Sequence, residues 1–221
     1  MEASKLIVML THNDKTVLNA YEVFEQCRKS KCEYFGMKEE PLNPQEMKEL
    51  FNYMKACGKK TVLEVVAYTE DECIKGAALA KYCGCDILMG TIYSDFINDF
   101  CKSNNILYMP FIGSIKDRPS VLTGSIQDMI DETNKYFEKG VYGVDLLGYR
   151  YTGNAFDLNK QVVRNTGNRV CIAGSVNSIM RLDEIREINP WAFTIGGAFF
   201  ENKFGDSFEE QINKVYTYIR R

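Results

Sequence analysis

Glu64 lies inside Thr61–Ala67, a stretch that is otherwise apolar and β-branched. A carboxylate in such a place must be paired, protonated or turned into a polar opening. Lys38 follows the apolar run Cys32–Met37. A lysine desolvated in a closed mouth has a lowered pKa and can act as a base or a Schiff-base nucleophile. The plain alternative is that Lys38-Glu39-Glu40 forms an exposed charged loop. A Lys38–Glu64 pair would satisfy both groups and could exchange a proton with a substrate carbon, or it could be a structural ion pair. Asp145, within Gly143–Leu147, reads as a second base or as the group that orients a sugar hydroxyl. His12, the one histidine of the chain, has the pKa range for acid-base work, but beside Asn13 and Asp14 it can equally help to cap a helix. Arg150 is suited to clamping a carboxylate or phosphate bidentately, or to stacking between Tyr149 and Tyr151.

A second group of residues points to an anion. Val170–Ala173 stops at Gly174-Ser175, and Ala192–Ile195 stops at Gly196-Gly197-Ala198. Glycine lets backbone N–H groups approach a ligand, and helix N-termini carry partial positive charge. Two such turns side by side suit one phosphate, although each alone also reads as a plain tight turn. Asn13 completes the set of candidate substrate contacts.

These residues need a frame, and the hydrophobic pattern supplies one. Strand-like runs at Leu6–Leu10, Cys32–Met37, Thr61–Ala67, Asp86–Met89, Ile106–Phe111, Gly143–Leu147, Val170–Ala173 and Ala192–Ile195 alternate with helix-period segments. The first helix is expected over Lys15–Lys29, N-capped by Asn13 or Asp14, and a later one over Tyr93–Cys101. Gly113–Gly124 is the longest loop, either a lid or a surface loop. The alternation predicts right-handed βαβ units in one parallel sheet, closed as a (β/α)8 barrel occupying residues 1–221 as a single domain. In that fold chemistry sits at the C-terminal ends of the strands, and a phosphate site belongs after the last two. The segments Lys81–Gly90 and Lys139–Gly148 share a D-[IL]-L-x-G strand, a faint internal repeat that fits a barrel.

With 27 basic and 30 acidic side chains, net charge −3, the chain has no general attraction for nucleic acid or anionic membrane. No apolar run is long enough to span a bilayer, and Met1-Glu2-Ala3-Ser4-Lys5 lacks a secretory apolar segment, so a cytoplasmic location is expected. The eight cysteines are expected as reduced thiols. Cys83-Gly84-Cys85 is the one close pair, and with a single histidine the chain offers few zinc ligands. No metal and no cofactor is expected, and a homodimer is compatible with the sequence.

The segments I-A-G-S-V-N-S and A-F-T-I-G-G-A resemble the phosphate-binding barrels of the ribulose-phosphate-binding type. That resemblance implies a small phosphorylated metabolite held by Gly174, Ser175, Gly196, Gly197 and Ala198. Asp145–Gly153 (D-L-L-G-Y-R-Y-T-G) is similar to the segment that N-acetylmannosamine-6-phosphate epimerases carry after their sixth strand. Those enzymes end the seventh strand in an acidic residue near the place where this chain has Gly174, so their catalytic acid does not transfer. The D-x-K-x-x-D signature of the decarboxylase branch is absent, and T-H-N-D, G-M-K-E and L-E-V-V-A-Y together resemble a set found in a group of bacterial barrels. The resulting expectation is an isomerase, epimerase or lyase that works by proton abstraction. The alternatives are a non-catalytic phosphometabolite-binding regulatory barrel and a Schiff-base aldolase using Lys38.

Overall fold

Along Tyr34–Lys38 the side chains alternate: Tyr34 joins a small inner cluster with Ile7, Met9, Val62 and Met109, while Phe35 and Met37 join the large outer core. This period of two decides which residues line the inside of the sheet. In the computed structural model, which describes residues 2–167 and 169–221 and leaves Met1 and Asn168 outside that description, eight parallel strands form one sheet. They are Lys5–Met9, Tyr34–Lys38, Lys60–Val65, Ile87–Gly90, Leu107–Met109, Val144–Leu146, Val170–Ile172 and Ala192–Ile195. The first strand pairs with both the second and the eighth, at Ile7↔Tyr34 and Ile7↔Thr194. A parallel bridge, Phe111↔Asp145, joins the fifth strand's end to the sixth, with the Asp145 amide donating to the Pro110 carbonyl at 2.8 Å. The fold is the expected (β/α)8 barrel.

The interior below the mouth is filled, not hollow. Met9 lies over Gly36, where a Cβ would meet its sulfur at 2.4 Å, so a larger residue at 36 would displace the plug. Helices start where their caps dictate. Asn43 forms a capping box with Glu46 ahead of Pro44–Ala56, and Thr69 and Ser125 cap Glu70–Cys83 and Ile126–Glu138. No helix among the described residues is long and apolar enough to cross a membrane.

Three local expectations are corrected. The first helix covers Ala20–Cys27, not Lys15–Lys29, because Thr11–His12 and Lys15–Thr16 pair as an antiparallel hairpin. Asn13 and Asp14 are its tip, both left-handed at φ 50° and 65°, and cap no helix. Asn and Asp tolerate that conformation, which a two-residue hairpin turn requires at both positions. The helix expected at Tyr93 begins instead at Asp95, after Ser94. Gly113–Gly124 is a second hairpin, pairing Ser114–Lys116 with Val121–Thr123.

Candidate active site

Strand geometry turns Lys38, at the end of the second strand, and Glu64, near the end of the third, toward the axis beyond the apolar plug, in register with each other. The first hairpin then brings a third charge. Thr16 clamps it to the second strand, its Oγ1 donating to the Lys38 carbonyl at 2.9 Å and accepting from the Lys38 amide at 2.8 Å. Asp14, at the hairpin tip, is thereby placed 2.5 Å from the Lys38 Nζ, with Glu64 Oε1 at 3.6 Å on another side. The Lys38–Glu64 pair anticipated from sequence is present, and Asp14 is the closer partner.

The electrostatics correct one expectation. Burial disfavours the Lys38 ammonium, but Glu64, Asp14 and Glu39 outweigh it, and the lysine pKa is raised, not lowered. Lys38 is therefore a held ammonium, an acid and hydrogen-bond donor, and a poor Schiff-base nucleophile. For Glu64 burial dominates: its pKa is raised, with Lys38 pulling it down, Glu39 and Asp14 pushing it up and Arg150 again pulling it down. A carboxylate pushed toward neutrality is suited to take and return a proton.

Asp145 sits deeper than the sequence suggests. It is 0% exposed, takes no part in the cavity wall, and neither carboxylate oxygen has a hydrogen-bond partner. Burial, then the neighbouring Glu64, raise its pKa well above the ordinary value; Lys38 and the Gly90 amide oppose this weakly. It lies behind Lys38 and Glu64, beside the inward thiol of Cys171.

The two glycine turns open into the same cavity as Lys38, Glu64 and Asp14, a space of about 560 Å³. Gly174 has φ 111°, and a Cβ there would meet Tyr149 Cβ at 2.9 Å, so this turn needs glycine. Arg181 holds it by donating to the Ser175 carbonyl and stacking over Tyr149 at 4.6 Å. The eighth strand's exit opens a short helix, Gly197–Phe200, whose first amides, on Gly197 and Ala198, have no acceptor within the helix. A Cβ on Gly196 would strike Thr11 Oγ1 at 2.5 Å, whereas one on Gly197 meets only His12 Cδ2 at 3.6 Å and Glu201 Oε1 at 3.8 Å. Gly197 is thus not glycine to suit the protein's own packing. His12 stacks on Phe200 at 5.5 Å and places Nε2 3.9 Å from Glu201, so it lines the cavity beside the eighth strand's exit, away from any helix cap. Asn13 and Arg150 also reach the wall.

Asp14, Glu201 and Arg118 are among the wall residues not singled out for the site from sequence. Glu201 follows the short helix, which no periodicity signals. Arg118, at the tip of the second hairpin, donates to Glu39 at 2.9 Å, to Glu40 at 3.1 Å and to the Val66 carbonyl. Tyr68 adds hydrogen bonds of 2.9 Å to the Asp117 carbonyl and the Ser120 hydroxyl. These contacts strap the hairpin across the mouth. Arg118→Ala is expected to speed amide hydrogen exchange at the paired residues Ser114–Lys116 and Val121–Thr123 by about tenfold or more, with barrel-strand amides unchanged. Equal exchange in both proteins would show that Arg118 holds nothing in place. Cys83 and Cys85 are both buried, and no cluster of metal-ligating side chains occurs among the described residues.

No protein-family model matches this chain, and no curated protein does. Solved structures of the same fold are numerous. N-(5'-phosphoribosyl)anthranilate isomerase from Pyrococcus furiosus aligns over 98% of each chain with TM-score 0.68 at 11% identity. Orotidine 5'-phosphate decarboxylase from Lactobacillus acidophilus aligns over 100% of each chain with TM-score 0.70 at 10% identity. N-acetylmannosamine-6-phosphate 2-epimerase from Clostridium perfringens covers 97% of this chain and 93% of its own, with TM-score 0.66 at 14% identity. Likeness at these identities shows the fold alone.

Proposed function

We propose that this barrel binds a small phosphorylated metabolite and moves a proton at a carbon next to its carbonyl, as an isomerase, epimerase or lyase. The carrying observation is one cavity that holds a buried ammonium between two carboxylates on one side and two glycine turns on the other, the second with amides at Gly197 and Ala198 that no backbone carbonyl accepts. The phosphate binds to the turns at Gly174-Ser175 and Gly196-Gly197-Ala198. Glu64 takes the proton from carbon, while Lys38 donates a hydrogen bond to the oxygen on which negative charge develops. Asp14 keeps the ammonium aimed. Return of the proton at the neighbouring carbon gives isomerisation, and return to the opposite face gives epimerisation. The three structural neighbours named above are enzymes whose names carry phosphorylated compounds, which supports the substrate class without choosing the reaction.

A melting-temperature screen tests the binding half, since a ligand that binds only the native state stabilises it. Inorganic phosphate and phosphorylated three- to six-carbon metabolites are expected to raise the melting temperature. Gly197→Val should leave the ligand-free melting temperature within about 2 °C, because a Cβ there meets His12 and Glu201 only at ordinary contact distance, yet weaken phosphate binding at least about tenfold, roughly the loss of one charge-assisted hydrogen bond. A chain that no phosphorylated compound stabilises lacks the proposed site. Deuterium wash-in from heavy water tests the chemistry: phosphate binding with no exchange at any substrate carbon is the outcome that marks a regulatory barrel.

A further inference from the structure

Among the described residues, every lysine and arginine on the cavity wall but one faces a carboxylate of the protein, and so does the imidazole of His12. Lys38 has Asp14 and Glu64, Arg118 has Glu39 and Glu40, Lys15 has Glu40 at 3.6 Å, and His12 has Glu201 at 3.9 Å. Arg150 lines the same cavity, half-buried, and among the described residues no carboxylate lies within 4.0 Å of its guanidinium. A permanently charged fork left without an anion in a partly desolvated wall is a receptor awaiting one.

The turn that carries Arg150 is fixed. Gly148–Arg150 is a single 3-10 turn, with the Arg150 amide donating to the Leu147 carbonyl at 2.9 Å. Gly148 packs so tightly on Asn159 that a Cβ would overlap its Oδ1. Tyr149 occupies the side toward the seventh strand, beneath Gly174, where its hydroxyl donates to Glu184 at 2.8 Å. In a 3-10 turn the next side chain departs about 120° away. Arg150 accordingly leaves the turn on another side than Tyr149 and lies near enough to Glu64 to favour that carboxylate's charged form.

The phosphate is already provided for by two turns of amides, and Arg150 addresses a different part of the ligand. We infer that the substrate is a phosphorylated acid: besides its phosphoryl group it carries a carboxylate, which docks bidentately on Arg150 at the Glu64 side of the cavity. This rests on the phosphate reading above and adds the second charge. It narrows the substrate from phosphosugars in general to compounds with an anion at each end.

Calorimetric titration of the full chain with a matched pair tests it. 3-Phosphoglycerate and glycerol 3-phosphate share the phosphate ester and the three-carbon backbone, and differ in a carboxylate against a hydroxymethyl group. The wild type is expected to bind 3-phosphoglycerate at least about tenfold more tightly, on the scale of a charge-assisted pair. Arg150→Met should erase that preference while leaving glycerol 3-phosphate within about twofold, and Arg150→Lys, which keeps the charge but not the fork, should recover it only in part. Circular dichroism melting of both variants establishes that they fold. Equal binding of the two esters by the wild type overturns the inference and leaves phosphate binding standing. An Arg150→Met variant that weakens both esters alike assigns Arg150 to the phosphate and also overturns it. If inorganic phosphate and both esters fail to bind, the phosphate reading falls and this inference falls with it.

Discussion

Glu64→Gln lowers the rate at which substrate carbon exchanges hydrogen with heavy water by about 10²- to 10⁴-fold, the usual contribution of a positioned general base. The change removes a single ionisation and keeps the side chain's shape, so the fold is retained and the loss is chemical. Lys38→Met should cost as much in rate and more in stability. It strands Asp14 and Glu64, and breaking a buried pair by deleting one partner typically costs about 3–5 kcal/mol. The pH profile separates the two roles. Glu64 must be ionised to accept a proton, and burial has raised its pKa above the ordinary 4.5, so the rate falls as pH drops through that raised value. Lys38 must stay protonated, and because the surrounding carboxylates hold its pKa above 10.5, its alkaline limb lies beyond the ordinary lysine range. Exchange undiminished in Glu64→Gln, or an acid limb that survives the substitution unchanged, would remove Glu64 from the reaction.

The barrel was legible from sequence because each strand run ends at a turn signal and most of the helices carry a side-chain cap, and both are local chemistry. The inward direction of Lys38, Glu64 and Asp145 was legible too, since a period of two follows from counting. Depth was not. Whether an inward carboxylate reaches the cavity or stops behind it depends on stagger between strands, set by contacts such as Lys38↔Glu64 and Phe111↔Asp145 across distant segments. Asn13-Asp14 misled for a different reason: the same short polar side chains serve helix caps and left-handed turns. The clue lay in the flanks, where Thr11-His12 and Lys15-Thr16 mirror each other around the dipeptide. Reading those flanks as a hairpin would have carried Asp14 over the second strand and toward Lys38. Desolvation alone predicts a base, and only the joint presence of Glu64, Asp14 and Glu39 turns Lys38 into an acid.

Asp145→Asn is expected to make the protein more stable at pH 8, by up to about 1.4 kcal/mol for each unit by which the fold raises the Asp145 pKa, because the amide leaves no charge to bury. The sign follows from proton linkage. In the unfolded chain this carboxyl releases its proton near pH 3.9. In the fold, burial and Glu64 make it hold the proton to a higher pH. Between those two values the native state binds the extra proton, so stability falls as pH rises through the window. Above the raised pKa the whole penalty is present. Asparagine does not titrate, so its advantage over the wild type should be large at pH 8 and shrink toward zero at pH 4. A gain of equal size at both pH values would mean that the amide packs better and that ionisation is irrelevant. A loss at pH 8 would mean that the Asp145 charge is paired after all, by Lys38 in preference to Glu64. In either case Asp145 contributes no wall to the cavity, and the substitution is expected to leave the affinity for inorganic phosphate unchanged.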